Sequence, residues 1–257
     1  MSDTSHPVLP SAAEGDQASG LRRIFDRLPA HWTLVLQPPL RTGNTAEALA
    51  ARARLLALRR GATLVVDASR TQIAAALGLR LRYDLEHALA GDCNIGEACA
   101  GAGGSLWVLP AARALDMAVS DPQHGERVGE AMQSVAVGMK EVVLVLPAAR
   151  IPWVRRCAPL RGAREAVIPV YGSADAGTAV LTTIRQAVSD LEIGTFHLLF
   201  LGMGEATAGR LLAAMAAIAR RHFGATLLAA KPVAEPPGEL ADGPAGQDLP
   251  RLVERVF

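Results

Sequence analysis

Residues 33–67 read TLVLQPPLRTGNTAEALAARARLLALRRGATLVVD, and this stretch decides the fold. It opens with a β-prone run, Thr33–Gln37, and passes through a loop, Pro38–Thr45, into a segment rich in Ala, Leu and Arg, Ala46–Arg59, that predicts a helix. A glycine ends this helix, and a second apolar, β-prone run follows over Ala62–Asp67. The stretch therefore predicts one β-α-β unit with two parallel strands.

The loop of this unit stands where a nucleotide-binding fold places its phosphate cradle. Such a cradle ends Gly-Lys-Ser/Thr, because its backbone N–H groups wrap the phosphates and its lysine neutralises them. Here the last three residues are Gly43-Asn44-Thr45, and the prolines Pro38 and Pro39 at the start have no N–H to donate. Two interpretations stay open: an ordinary strand-to-helix connection, or a nucleotide site that has lost its phosphate-binding groups.

Composition limits the class of protein. Half of the 257 residues are hydrophobic and the net charge is +1, so no global field favours nucleic acid. The six histidines are scattered, and we assign none a role. The cysteines show no metal-ligand spacing, and their odd number without a signal peptide indicates reduced packing residues of a cytoplasmic protein: Cys93, Cys99 and Cys157. We therefore expect no metal site.

Strands and helices alternate along the rest of the chain. Further strands are predicted at 105–110, 141–146, 166–171, 195–201 and 225–229. Helices are predicted within 69–79 and at 83–91, 126–139, 176–191 and 205–222. This alternation predicts an α/β fold with a mostly parallel, doubly wound sheet and helices on both faces.

A short helix is predicted at 16–28, before the first strand. At about 100° per residue its apolar side chains fall on one stripe, with Gln17 in the middle: Ala18, Leu21, Ile24, Phe25 and Leu28. The polar residues 1–15 before it predict a disordered leader. A stripe behind a flexible leader is typical of a segment that docks on a partner; the alternative is that this helix packs on its own domain.

Both ends of the chain lie outside the expected α/β domain, residues 31–231. Residues 232–248 are rich in Pro, Gly and acidic residues and predict a linker. The tail 249–257 is amphipathic but short and only mildly basic, so we expect weak or no membrane binding. Packing of this tail against the domain is the favoured interpretation. No apolar run is long enough to cross a bilayer.

Three stretches together resemble the FlhG-type proteins. These proteins belong to the MinD/ParA family of P-loop ATPases and regulate flagellar number and placement. First, residues 16–22 match the family's DQAxxLR motif at every fixed position. Second, an LGL turn at 77–79 is followed by YDL, AGDC and WVLPA segments at 83–85, 90–93 and 107–111. Third, Phe196–Leu199 and the helix after it are similar to the family's last helical layer. The resemblance covers roughly residues 16 to 230.

The resemblance implies a P-loop NTPase-like fold and contact with an SRP-type flagellar GTPase, FlhF. In such proteins the N-terminal helix binds the GTPase and its glutamine helps complete the GTPase site, which assigns that role in trans to Gln17. The implied contact residues are Asp16, Gln17, Ala18, Leu21, Arg22 and Phe25. Basal-body components as partners, a homodimer, and recruitment to the cell pole or flagellar base are further expectations.

The chain departs from the family's nucleotide site at several positions. The family's cradle, GKGGVGKT, has lysines where this chain has Pro39 and Asn44. Ser69 replaces the second aspartate after the second strand, and Leu146 with Pro147 replaces the aspartate near magnesium. Phosphoryl transfer depends on these groups, so we expect no ATPase activity and neither ATP nor Mg²⁺ as a cofactor.

The vestiges of that nucleotide site would be Gly43, Thr45 and Asp67. Asp67 has the alternative role of capping its own loop. Two other functions stay open beside contact regulation. One is an active MinD-type ATPase switch that cycles on and off the membrane, and the other is a structural flagellar scaffold.

Overall fold

The computed structural model describes residues 30–39, 45–155, 157, 160, 163–173 and 175–230. The predicted leader, the helix 16–28, residues 40–44 of the cradle-like loop, the linker and the tail lie outside these residues. The predictions made for those segments are therefore not tested by the structure.

The described residues form a single eight-stranded sheet. Its strands are β1 (His31–Gln37), β2 (Thr63–Asp67), β3 (Ala100–Gly101), β4 (Leu106–Pro110), β5 (Glu141–Pro147), β6 (Glu165–Tyr171), β7 (Thr195–Leu201) and β8 (Thr226–Ala230). The order is β3-β4-β2-β5-β1-β6-β7-β8. Only the two-residue β3 runs antiparallel to its neighbour, so the predicted mostly parallel sheet is confirmed.

Nine α-helices connect the described strands. They are α1 (Thr45–Arg60), α2 (Ile73–Ala76), α3 (Leu85–Ala90), α4 (Ile95–Ala98), α5 (Ala112–Ser120), α6 (Pro122–Ala136), α7 (Ile151–Val154), α8 (Ala176–Leu191) and α9 (Glu205–Phe223). A 3₁₀ turn, Ala148–Arg150, precedes α7. None of the helices in these ranges is long and apolar enough to cross a membrane.

The prediction of one helix over 126–139 was wrong at both ends. The helix in this region, α6, begins at Pro122 and ends at Ala136, and α5 (Ala112–Ser120) precedes it. The Asp121 side chain accepts a hydrogen bond from the Gln123 N–H at 2.9 Å, which caps α6. Proline suits the first helical position because its missing N–H needs no partner there.

Helices cover the sheet on two faces. Alternate side chains of the strands point to opposite faces, so neighbouring residues join different apolar clusters. The first face, with Leu34, Leu36 and Leu144, packs against helices α3 to α9. The second face, with Val35 and Val143, packs against α1 and α2. This arrangement confirms helices on both faces.

The chain leaves the neighbouring strands β1 and β5 in opposite directions. From β1 it passes through α1 on the second face to β2, and from β5 it passes through α7 on the first face to β6. Two such connections diverge at the carboxyl ends of the strands and open a crevice, which is where ligands bind in open α/β sheets. The fold thus places any ligand site beside the loop after β1.

A buried carboxylate holds the opposite edge of the sheet together. Glu141 is fully buried, and its carboxylate is hydrogen-bonded by His31 Nδ1 at 2.8 Å, Thr33 Oγ1 at 2.7 Å and Arg60 at 2.9 Å. The hydrogen bond to Glu141 raises the pKa of His31 above its ordinary value, against the opposing effect of burial. This cluster fixes the start of β1 against β5 and the end of α1.

Candidate functional site

A cleft of about 490 Å³ lies at the carboxyl ends of β1, β2 and β5. Its lining comes from the ends of these strands, from the start of α1 and from α8: Gln37, Pro38, Pro39, Thr45, Ala46, Ser69, Arg70, Thr71, Pro147, Ala148, Ala149, Thr182, Thr183 and Gln186. This is the crevice expected from the chain topology. It is therefore the position where a phosphate cradle would work.

Thr45, the hydroxyl residue of the cradle-like loop, is engaged inside the protein. It is the first residue of α1, it is buried, and its Oγ1 shares a hydrogen bond with the phenol oxygen of Tyr171 at the end of β6. In a working P-loop this hydroxyl binds Mg²⁺. Here this hydroxyl is engaged in a hydrogen bond with the tyrosine of a neighbouring strand.

Asp67 caps the loop that follows β2. Its carboxylate accepts hydrogen bonds from the Ser69 N–H at 3.1 Å, the Ser69 hydroxyl at 2.9 Å, the Thr71 hydroxyl at 3.0 Å and the Ile73 N–H at 3.3 Å. Arg70 and Gln72 in this loop have φ of 60° and 64°, a left-handed backbone that costs side-chain-bearing residues free energy. The four bonds to Asp67 offset that cost. This arrangement supports the loop-capping interpretation of Asp67.

The loop after β2 and the end of β5, where the resemblance predicts aspartates, bring no acidic side chain to the cleft. Gln37 and Pro147 pair in register where β1 and β5 end, and Pro147 rather than an aspartate lines the cleft. Among the lining residues within the described ranges there is no carboxylate and no lysine. Mg²⁺ in nucleotide sites is held by carboxylate and phosphate oxygens, so these residues fit a magnesium–nucleotide complex poorly.

Among the described residues that line the cleft, Arg70 carries the positive charge. Its guanidinium donates to Asp116 Oδ2 at 2.7 Å, and Arg150 donates to the other oxygen of Asp116 at 2.6 Å. The three side chains tie the loop after β2, helix α5 and the 3₁₀ turn after β5 to one another. Side chains that are partly exposed, as here, make ion pairs of modest strength, so this cluster positions loops more than it stabilises the fold.

Two of the site residues predicted from sequence, Thr45 and Asp67, lie at the ends of neighbouring elements beside the cleft. Gly43 and the proposed partner contacts Asp16, Gln17, Ala18, Leu21, Arg22 and Phe25 lie outside the described residues. Sequence reasoning missed Tyr171, although a tyrosine that ends a predicted parallel strand is placed to reach the same sheet edge. It also missed the cluster of Arg70, Asp116 and Arg150.

No protein-family model matches the chain, and no curated protein matches it in sequence. Solved structures do match. MinD from Aquifex aeolicus is 19% identical over 77% of this chain and 80% of that chain, with a TM-score of 0.55. Apo McdA from Cyanothece is 16% identical over 80% and 87%, with a TM-score of 0.56. Cobyrinic acid a,c-diamide synthase from Mycobacterium smegmatis is 16% identical over 81% and 88%, also with a TM-score of 0.56.

At these identities the likeness shows the fold alone. The chain has the MinD/ParA-type P-loop NTPase fold, a mostly parallel eight-stranded sheet with flanking helices. Related structures include an ATP complex of a McdA variant and an ADP–magnesium complex of the synthase.

Proposed function

We propose that this protein regulates flagellar number and placement by contact, and that it makes little or no use of ATP. It would act in the cytoplasm, at the cell pole or flagellar base, by stimulating an SRP-type GTPase similar to FlhF through the helix 16–28. The observation that supports the first half of this proposal is the state of the cleft. Thr45 and Asp67, the described remnants of a nucleotide site, are both engaged within the chain.

The chemistry of ATP hydrolysis explains why this observation matters. Charge on the transferred phosphoryl group is stabilised by a cradle lysine and by Mg²⁺, which carboxylate side chains help to hold. This chain has Pro39 and Asn44 at the two lysine positions, and Ser69 and Leu146 at the two carboxylate positions. The Thr45 hydroxyl is also engaged with the Tyr171 phenol, which would compete with a ligand for it. Each replacement weakens phosphate or metal binding, and all of them act on the same step.

The second half of the proposal rests on the N-terminal motif. Residues 16–22 carry every fixed position of DQAxxLR, and the apolar stripe of the helix supplies a surface for binding a partner. Gln17 lies within that stripe, so a partner that binds the stripe also receives its amide. An amide can orient an attacking water without reacting, which is the role of glutamine in GTPase sites.

The test uses the full chain and a purified FlhF-type GTPase. Gln17→Ala should keep the affinity within about tenfold, because one amide is lost from a mainly apolar contact, yet remove most of the stimulation. Leu21→Asp should abolish binding, because it places a charge in a buried apolar contact. Ser19→Asp is the matched control, since it adds the same side chain outside the stripe and should behave like the unmodified chain.

Two results would contradict this assignment. The first is unchanged GTPase stimulation by Gln17→Ala, which would remove the catalytic role of the amide. The second is tight binding by Leu21→Asp, which would show that the stripe does not face the GTPase. A protein that binds the GTPase without changing its rate would instead fit the scaffold function.

A MinD-type ATPase switch is the second candidate. The fold and a cleft of nucleotide-compatible size at the switch point favour it. It requires affinity for Mg-ATP, which calorimetric titration of the full chain measures directly.

A further inference from the structure

The cleft is a cavity of small-molecule size, although its described lining fits a magnesium–nucleotide complex poorly. Its volume of about 490 Å³ lies within the roughly 300–1,000 Å³ of ligand sites in proteins. A crevice at the carboxyl ends of the strands is also the place where open α/β sheets bind ligands. The polar groups of the lining therefore indicate which class of ligand this cleft binds.

The positive charge beside the cleft is only partly balanced. Arg70 and Arg150 each donate to one oxygen of Asp116, at 2.7 Å and 2.6 Å, so two cations share one carboxylate and leave a net positive charge. A guanidinium has several N–H donors, and the contact with Asp116 uses Nη2 of Arg70. Because Arg70 lines the cleft and its side chain is 61% exposed, its other donors are available to an anionic ligand.

The loop after β2 holds Arg70 in a fixed position. The φ of Arg70 is 60°, a left-handed conformation that costs a side-chain-bearing residue free energy. The hydroxyls of Ser69 and Thr71, on either side of it, both donate to Asp67. Residues held in a costly backbone conformation cluster at ligand sites, where a preorganised group favours binding. The loop thus presents a positioned guanidinium to the cleft.

Helix α8 supplies hydrogen-bond acceptors to the same cleft. Thr182 donates its hydroxyl proton to the Thr178 carbonyl at 2.8 Å. Thr183 donates in the same way to the Ala179 carbonyl at 2.9 Å. Both protons are used within the helix, so the lone pairs of these two hydroxyl oxygens face a ligand as acceptors. Both threonines line the cleft, and this wall therefore suits ligand groups that donate, such as hydroxyls.

We propose that the cleft binds a small organic anion that carries several hydroxyl groups, and that it does so without a divalent metal. The anionic group of the ligand contacts the guanidinium of Arg70, and its hydroxyls donate to Thr182 and Thr183. The amides of Gln37 and Gln186 also line the cleft, and each can donate or accept. A sugar phosphate and a sugar acid share this chemistry.

The charge of the ligand follows from the lining. Arg70 is the cation of the described lining, and one guanidinium suits a phosphate monoester, whose charge at pH 7 is about −1.5 to −2. A nucleoside triphosphate carries more charge and is bound together with Mg²⁺, and the described lining has no carboxylate to hold that ion. Binding of a hydroxylated anion needs no GTPase, so it is independent of the contact function proposed above.

Calorimetric titration of the full chain with ribose 5-phosphate in the presence of EDTA tests this assignment. We expect a dissociation constant below about 1 mM. Arg70→Gln should weaken binding by about tenfold or more, because a charge-assisted hydrogen bond is lost. Arg80→Gln is the matched control, since it removes the same charge from an exposed residue outside the described lining and should leave the affinity unchanged.

A second pair of variants tests recognition of the hydroxyl groups. Thr182→Val should weaken ribose 5-phosphate by about threefold or more and leave the affinity for inorganic phosphate unchanged, because only the sugar donates to this oxygen. Thr178→Val, on the same helix but outside the described lining, should change neither affinity. Gluconate in place of ribose 5-phosphate distinguishes the two sources of the anion: tighter binding of gluconate identifies a sugar acid, and weaker binding a sugar phosphate.

Three results would overturn this proposal. They are no binding of either probe at about 10 mM, a requirement for Mg²⁺, and an affinity of Arg70→Gln equal to that of the unmodified chain. The GTPase assay with Gln17→Ala is a separate measurement, so failure of one leaves the other standing.

Discussion

The hydroxyl of Thr45 and the phenol of Tyr171 share a hydrogen bond that joins the first residue of α1 to the last residue of β6. Both residues are buried, and Thr45 lines the cleft where a nucleotide fold would hold magnesium. The bond makes Thr45 part of a contact between two elements of the fold. Its removal should therefore cost stability.

Tyr171→Phe should lower the free energy of unfolding by about 1 kcal/mol, because a buried hydrogen bond is lost while the ring is kept. Thr45→Val should cost a similar amount. In a double-mutant cycle measured by urea denaturation, the double variant should lose less stability than the sum of the two single losses, because both variants break the same bond. Fully additive losses would show that the two hydroxyls do not stabilise each other.

Asp67→Asn should destabilise the protein by about 2 kcal/mol, because an amide cannot accept all four hydrogen bonds of the loop after β2. The control is Asp116→Asn, whose side chain is 39% exposed and should cost less than about 1 kcal/mol. Chemical denaturation measures both. Equal costs would contradict the loop-capping role of Asp67.

His31 should give the stability a pH dependence of its own. Glu141 raises the pKa of His31 in the folded protein, so this stabilisation is fully present below the unfolded value of about 6.5 and is lost as pH rises through the folded value. Because the His31 side chain is 62% exposed, solvent screening keeps the effect small. The advantage of the unmodified chain over His31→Gln should be larger at about pH 5.5 than at about pH 8.5. An advantage that does not change with pH would exclude the ion pair.

Much of the fold could be predicted from local patterns. The runs that became β1, β2, β5, β6, β7 and β8 are apolar and β-prone, and α8 runs from Ala176 to Leu191 as predicted. Elements of two to four residues, such as β3, α4 and α7, were not predicted, because so few residues show no periodicity. Strand order could not be predicted either, since β1 pairs with β5 and β6 far along the chain.

Only part of the candidate site could be predicted from sequence. The positions of Thr45 and Asp67 could be predicted, because these residues stand beside predicted strands and a predicted helix. Tyr171 was missed because its contact with Thr45 joins residues 126 positions apart, and nothing local in the sequence marks that pairing. The histidines show the same limit, since His31, His124 and His197 each contact a carboxylate on another element.

The C-terminal tail should not anchor the protein to membranes. Residues 249–257 offer few apolar side chains and only two arginines, so their gain on insertion is small. Sedimentation with anionic liposomes should recover little protein, and deletion of 249–257 should not change that fraction. Strong sedimentation that the deletion abolishes would favour the MinD-type membrane cycle.

Titration of the full chain with Mg-ATP in a calorimeter tests the central claim, that the cleft no longer works as a nucleotide site. We expect a dissociation constant weaker than about 1 mM, a loss of about 4 kcal/mol relative to a micromolar site, and no phosphate release above the buffer rate. A MinD-type ATPase titrated in parallel is the positive control. Micromolar affinity or steady phosphate release from this chain would contradict the account and make it an ATP-driven switch.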